Sequence, residues 1–501
     1  MTIADLVRES ARRSPSRIAL IDGSRRTTWG DLDALVGRCA GGLLARGLRS
    51  GDRIAVLMGN GTDFVITYFG ALRAGLVVVP INPAYTAPEV AVLIADSGAR
   101  LLICDPASLS VARDATGAIA SCEVIDTGSA AWRELLDAPA VALPTVADDG
   151  LALLLFTAGT SGRPKGAMLT HGALRANIDM IRTLDAPPAV VADDVSLLVL
   201  PMFHVYGLNT ALGLAVAAGA TSVIVDRFDP VETLRLVREH GVTTIAGAPA
   251  MYAAWLRVPG LAEALTDVRL LSSGGAPLPP ALFEAFRDAS GHAIFEGYGM
   301  TETAPVIATT LVTGAPKPGS VGRPLPGVEI RIIDEDGDEV DDGDPGELWV
   351  RGPSVFRGYW PDGQGGPNAD GWFGSGDVAY VDPDGDLHLV DRRREVILVN
   401  GFNVYPREVE VVIEAMPEVA EVAVLGVPDD MTGEAVTAAV VARPGMDLDE
   451  ERLLAHCAAH LARFKMPTRV RIVDALPHST TGKVAKGRLR EVYEVLGDDG
   501  A

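Results

Sequence analysis

FTAGTSGRPKG, residues 156–166, runs Phe156, Thr157, Ala158, Gly159, Thr160, Ser161, Gly162, Arg163, Pro164, Lys165 and Gly166; the apolar run 151–156 precedes it and AMLTH follows. The flanking runs read as strands, so the stretch is a loop between two of them. Gly159, Gly162 and Gly166 let the main chain approach a ligand without Cβ atoms in the way, and successive N–H groups can converge on one anionic point. A polyphosphate suits such a loop. A P-loop is excluded, because Lys165 is followed by Gly166 and a strand, where Ser or Thr and then a helix are required. Taken alone, the same letters also suit a Gly-rich hairpin with a solvated lysine.

On both sides of the loop, strand-like runs alternate with helical patterns. IALID (18–22) leads to Thr28 and Asp31, a capping pair for a helix reaching about Ala45; RIAVLM, a helix near 62–74, VVVPIN, a helix opened by Thr86 and Glu89, and LLICD follow. SLLVLP, a helix near 208–218, TSVIV, a helix capped by Asp229 with Pro230 at its first position, TTIAGAP and RLLSSGG repeat the pattern downstream. That rhythm predicts an α/β fold with parallel sheets, arranged as two doubly wound subdomains. From about Ser320, short strands separated by Asp, Gly and Pro turns predict a small β-barrel-like part. After the basic knot Arg392, Arg393 and Arg394 the pattern becomes α+β. The expected division is therefore a large N-terminal domain over 1–391, a junction at 392–394 and a small C-terminal domain over 395–501.

A chain of 501 residues is long enough for two or more domains. Its net charge of −23 argues against nucleic acid or an anionic membrane as partner, and any site for an anion must carry its own cations, helix N-termini or metal. Cys39, Cys104, Cys122 and Cys457 show no CxxC spacing, which predicts neither disulfides nor zinc and fits a reducing cytoplasm. The N-terminus lacks the apolar core of a signal peptide. Residues 195–225 carry no Asp, Glu, Lys or Arg, but Pro201, His204, Asn209 and several glycines interrupt them. They read as buried strand, loop and helix rather than a membrane span, with peripheral association left open.

Several further stretches carry reactive side chains. PMFHVYG (201–207) puts His204 at the end of a buried strand, where a hydrogen-bonded core histidine is the ordinary reading. SSGGAPLP (272–279) and GYGMTET (297–303) end two other strands, at the edge where open α/β sheets bind ligands. Tyr298 offers a flat face for adenine, Thr301 a hydroxyl for phosphate, and Glu302 a hard oxygen for Mg²⁺, although taken individually a buried Tyr and a surface Glu are the ordinary readings. Asp377, in WFGSGDVA (372–379), could accept bonds from both hydroxyls of a ribose or merely cap its turn. Lys483, in HSTTGKVAKG (478–487), would by default be solvated.

Read together, these stretches resemble a known family. Residues 156–166 closely resemble the (Y/F)TSGTTGxPKG core motif of the adenylate-forming enzymes: acyl-CoA and aryl-CoA ligases, peptide-synthetase adenylation domains and luciferases. The match departs at Ala158, where Ser is usual, and at Ser161, where Thr is usual; a weaker grip on phosphate is expected. GYGMTET resembles the family's YGxTE motif, VNGFNVYP (399–406) is similar to fatty-acid CoA ligases, and five motifs stand in the family's order.

The resemblance implies ATP, a carboxylic acid and coenzyme A as substrates, with Mg²⁺. It assigns ATP or AMP contacts to Thr157, Ala158, Gly159, Thr160, Ser161, Gly162 and Lys165, to Gly275, Ala276 and Pro277, to Glu296, Gly297, Tyr298, Gly299, Met300 and Thr301, and to Asp377, Arg392 and Lys483. Lys483, His204 and Lys165 are implied as catalytic, and Thr157 with Glu302 as the metal residues. The acyl pocket implied is lined by His204, Tyr206, Gly207, Leu208, Gly247, Ala248, Met251, Gly275, Met300 and Val306. Many long-chain ligases place an aromatic gate near the position of Leu208. Arg394 falls on the hinge of a mobile C-terminal domain, and Gly401 with Phe402 on the thioester-forming face. Two charges ~4 Å apart repel by roughly 4 kcal/mol at an effective dielectric near 20, so a carboxylate approaching an α-phosphate needs the cations Lys483, Lys165 and Mg²⁺. Malonate-specific relatives carry an arginine where Gly297 stands, which argues against a dicarboxylate. A medium- or long-chain fatty acid is expected, and an aryl or cyclic acid is the alternative. An adenylase loading a carrier protein would share every motif, as would a nucleotide-binding protein that has lost catalysis.

Overall fold

The computed structural model describes residues 2–117, 119, 121–138, 143–158, 164–334, 337–340, 343–392, 397–404, 406–429, 431–477 and 489; side chains of 158, 390–392, 403 and 407 are not described. The chain forms two compact units: Met1–Pro83, Ala91–Thr157 and Gly166–Asp391 make the first, and Ala84–Val90, Ala158–Lys165 and Arg392–Ala501 the second.

The alternating rhythm produces two large sheets. One has six strands, in the order Glu123–Asp126, Leu101–Cys104, Arg53–Leu57, Val77–Ile81, Leu151–Ala158 and Pro164–Thr170. Its first five strands are parallel. Arg53–Leu57 and Leu101–Cys104 are almost wholly apolar and buried, as strands covered on both faces must be. The other sheet has nine strands, with six parallel strands from Ile294–Gly299 across to Ile18–Asp22 and antiparallel strands at both ends. Ile18–Asp22 opens the alternation in sequence, yet it pairs with Thr221–Ile224 in this second sheet. Periodicity identifies a strand but not its partner.

Helix ends follow their capping chemistry. Thr28 accepts the Asp31 N–H ahead of Trp29–Ala45, and Asp229 accepts two N–H groups ahead of Pro230–His240. Thr86 donates its hydroxyl and its backbone N–H to Glu89 at the start of Ala87–Ser97. Residues 195–225 form strand Val195–Leu198, a π-helical turn Tyr206–Gly213, helix Leu214–Ala218 and strand Thr221–Ile224. Among the described residues no helix is long and apolar enough to cross a membrane.

The β-barrel-like part takes the form of a four-stranded sheet, Glu329–Ile333, Gly346–Arg351, Phe373–Val381 and Leu387–Arg392. Phe356 and Phe373 pack edge-on, 4.9 Å apart, and join it to the first unit's core. The second unit has a five-stranded sheet built on the long pair Val419–Asp429 and Gly433–Ala442, with helices Pro406–Glu414 and Glu450–His460. The expected C-terminal helix lies outside the described residues.

Candidate active site

The phosphate-loop candidate lies between strands Leu151–Ala158 and Pro164–Thr170, as its composition requires. Gly159, Thr160, Ser161 and Gly162 lie outside the described residues, as does the Ala158 side chain. Thr157 is half-buried at the end of the first strand, and Lys165 is exposed at the start of the second. A neighbouring segment locks the second strand: Trp360 N–H donates to Gly166 O at 2.8 Å, Met168 N–H to Gly358 O at 3.0 Å, and Arg357 N–H to Met168 O at 3.0 Å.

Three adjacent parallel strands bring other motifs to one edge of the nine-stranded sheet. Gly247 pairs with Ser273, and Ser273 with Glu296. This register sets Gly247 and Ala248, Gly275, Ala276 and Pro277, and Gly297 through Thr301 side by side at the strands' C-terminal ends. Glu296 is buried and its carboxylate accepts the Leu278 N–H at 2.9 Å, so it braces the glycine turn from below. Burial pushes its pKa up to about 7 against the pull of that N–H. Tyr298, on the same strand, donates its phenol to Asp377 Oδ2 at 2.5 Å across 79 residues of sequence. Both are buried, and Asp377 also draws its own N–H to Ser375. The Arg392 side chain, expected beside Asp377, lies outside the described residues.

Glu302 sits in the short 3-10 turn Thr301–Thr303 with 3% of its surface exposed. The turn is possible because Gly299 has no Cβ, which would stand 2.0 Å from Pro305 O. Two buried asparagines then tie its exit. Asn209 donates to Ala304 O at 2.7 Å and Leu174 O at 3.0 Å, and Asn177 donates to Val306 O at 2.8 Å while accepting the Val306 N–H. The Glu302 carboxylate accepts the Tyr359 phenol through Oε1 at 2.6 Å, and its carbonyl accepts the Phe356 N–H at 2.8 Å.

His204 follows the neighbouring strand Val195–Leu198. Its ring is open to solvent on one side, while the protein packed around it lowers its pKa, and Nδ1 accepts the Tyr206 N–H at 3.3 Å. Tyr206 packs against Gly274, where a Cβ would meet its ring at 3.2 Å; burial pushes its phenol up to about 12, opposed by the Ser272 hydroxyl. Gly207 passes so close to Pro201 O that a Cβ would stand 2.2 Å away. Asn60 pins this loop from the other sheet: its Oδ1 accepts Met202 N–H at 2.8 Å, and its Nδ2 donates to Leu200 O and Val225 O at 3.0 Å each. Leu208, expected to line the pocket, is wholly buried in the core, and Met251 and Val306 are 7% and 9% exposed. Leu208 offers no surface to a ligand here, because the π-helical turn directs it inward.

The profile of the family described as AMP-binding enzyme matches residues 7–360, and that of the AMP-binding enzyme C-terminal domain matches residues 408–483. The chain belongs to the AMP-binding enzyme family. It is an enzyme of the AMP-forming acid–thiol ligase class. The chain is 38% identical to a feruloyl-CoA synthase of Amycolatopsis over 96% of this chain and 97% of that one. It is 35% identical to a long-chain-fatty-acid–CoA ligase of Mycobacterium tuberculosis, over 97% and 98%. Among solved structures it resembles the o-succinylbenzoate CoA synthetase of Bacillus subtilis (TM-score 0.87, 30% identity, 97% and 98% covered). It also resembles ATP-bound MatB of Rhodopseudomonas palustris (TM-score 0.74, 36% identity, 99% of both).

In this AMP-binding enzyme the first unit gathers Gly247, Ala248, Gly275 and Gly297 through Glu302 along one sheet edge, and joins Tyr298 to Asp377. Gly401, with φ +80, turns the chain between two short strands of the second unit, where the Phe402 ring lies 4.8 Å from Phe464. Arg394 and Lys483 lie outside the described residues. Sequence reasoning missed the braces Asn60, Asn177, Asn209 and Tyr359. Asn209 had a signal: a polar amide inside a stretch free of charge must find partners if it is buried.

Proposed function

We propose that this ligase activates an apolar monocarboxylic acid, a fatty acid of medium or long chain, with ATP and passes it to coenzyme A. The observation that carries this reading is the strand-edge array of Gly275, Tyr298, Thr301 and Glu302 beside the His204 loop, in a chain similar to long-chain-fatty-acid ligases along nearly its whole length. An acid carboxylate would attack the α-phosphate of ATP, forming acyl-AMP and releasing pyrophosphate. The coenzyme A thiol would then attack the acyl carbonyl, forming the thioester and releasing AMP and the thiol proton.

In this reading Lys165 and Lys483 relieve the repulsion between carboxylate and phosphate, and Asp377 with Arg392 holds the ribose. Glu302 and Thr157 supply oxygen donors of the kind Mg²⁺ takes, and Glu302 Oε2 accepts no protein hydrogen bond among the described residues, so the donor set fits that ion. These two would hold it, and when bound it neutralises charge on the polyphosphate. The segment beyond Arg392 would turn about Arg394 to exchange Lys483 for Gly401 and Phe402 between the two steps. Four free, buried cysteines support a reducing, cytoplasmic setting.

A second reading, an aryl acid, is favoured by the feruloyl-CoA synthase likeness and by the Tyr206 ring packed against Gly274. A panel of acids graded in length and aromaticity, tested for acid-dependent exchange of labelled pyrophosphate into ATP, separates the two. One methylene shifts an apolar slot by only about 1–3 kcal/mol, so a fatty-acid enzyme gives a graded series and an aryl enzyme a sharp preference for rings. Lys483→Ala should abolish exchange yet spare thioester formation from supplied acyl-AMP; equal loss of both steps contradicts the exchange of faces.

A further inference from the structure

We propose that Tyr359 is a positioning residue for Glu302, fixing which carboxylate oxygen faces a cation-bound polyphosphate; the inference rests on the reading of Glu302 as the metal residue. Tyr359 belongs to the segment that clamps the strand leaving the phosphate loop: its flanking residues Gly358 and Trp360 bond that strand at Met168 and Gly166, and Tyr359 itself bridges Ala167. Its phenol ends 2.6 Å from Glu302 Oε1. Any shift of that strand is therefore passed by one rigid side chain to the carboxylate.

The hydroxyl is not needed for packing. Phe356, three residues earlier, fills the core beneath, its ring 5.0 Å from that of Tyr359 at 74°, and its N–H holds the Glu302 carbonyl. Asn177 and Asn209 hold the exit of the turn. With the backbone fixed on both sides of Glu302, the remaining freedom is rotation of its side chain, and the phenol removes that freedom by engaging Oε1. Oε2 is left for an incoming ion. A hydrogen bond to a carboxylate is among the stronger ones, and outer partners of this kind typically tune metal affinity about 10- to 100-fold.

The test uses the full chain with Mn²⁺ as probe. Binding of Mn²⁺ to the enzyme–ATP complex is followed by electron paramagnetic resonance for wild type, Tyr359→Phe and Glu302→Gln, alongside ATP binding in EDTA and thermal midpoints. Tyr359→Phe should weaken Mn²⁺ binding about tenfold and raise the half-saturating Mg²⁺ for pyrophosphate exchange by the same factor. Metal-free ATP affinity should stay at its wild-type value, while the thermal midpoint falls only slightly, because one hydrogen bond to a buried carboxylate is lost. Unchanged Mn²⁺ binding in Tyr359→Phe, with weakened binding in Glu302→Gln, overturns the positioning role alone. Unchanged binding in both variants overturns the metal reading of Glu302, and the proposal with it. A fall in thermal midpoint and in metal-free ATP affinity, without a specific metal effect, assigns the hydroxyl to structure and also overturns the proposal.

Discussion

The turn around Glu302 and the loop around His204 both follow strand ends of the nine-stranded sheet, yet they are built to different standards. Glu302 is 3% exposed, and the chain around it is tied by Asn177, Asn209, Phe356 and Tyr359. His204 is exposed, and its loop is tied from outside its own turn by Asn60 at Met202 and Leu200 and by Ser272 at the Tyr206 phenol. Electrostatic chemistry gains most from groups that need not reorganise, whereas an apolar acid is bound by shape and area. In the proposed reading, buried polar contacts are thus spent on the nucleotide end and the acid end is left adaptable.

The comparison can be broken in several places. The largest effect is expected from Leu208→Ala, which opens a cavity in the core and should cost about 2–5 kcal/mol by denaturant unfolding, without changing preference for acid length. A changed length preference with intact stability would return Leu208 to the pocket. Next is the pH response of Glu296. Its folded pKa of about 7 lies above the ordinary 4.5, so its contribution to stability is present at low pH and lost as pH rises towards 7. His171, buried and lowered to about 4 from 6.5, has the opposite sign: its contribution is present above 6.5 and lost as pH falls towards 4. The two offset one another in the wild type. Glu296→Gln should therefore steepen the rise in stability with pH between 4 and 6.5, and gain up to ~3 kcal/mol over wild type above pH 7; parallel curves for the two proteins would refute this.

Asn209→Ala takes the amide donor from Ala304 O and leaves Leu174 O with its helical partner alone, and should cost about 2 kcal/mol of stability while lowering pyrophosphate exchange. The smallest effect is expected at the acid end. Asn60→Ala should raise KM for the acid about tenfold, a loss of ~1.4 kcal/mol, with KM for ATP unchanged. Equal shifts in both constants would remove the distinction between the two ends.

Much of the scaffold was legible because it rests on local chemistry. Thr28 and Asp229 cap their helices through the next turn, and the strands on either side of Phe156–Gly166 follow from short apolar runs. The rest depends on partners far apart in sequence. Tyr298 meets Asp377 across 79 residues, Asn60 meets Met202 across 142, and Tyr359 meets Glu302 across 57. A tyrosine or asparagine near a turn has the same letters whether it faces water or braces a site, and only closure of the sheets decides. Leu208 shows the converse, since an apolar residue beside His204 serves a pocket or a core equally well by composition.

The most direct measurement omits coenzyme A. Enzyme mixed with ATP, Mg²⁺ and an accepted acid, quenched and analysed by mass spectrometry, should hold acyl-AMP with an equal amount of released pyrophosphate, and added coenzyme A should convert it to acyl-CoA and AMP. Release of ADP and phosphate, or thioester formation without any acyl-AMP, would contradict the account.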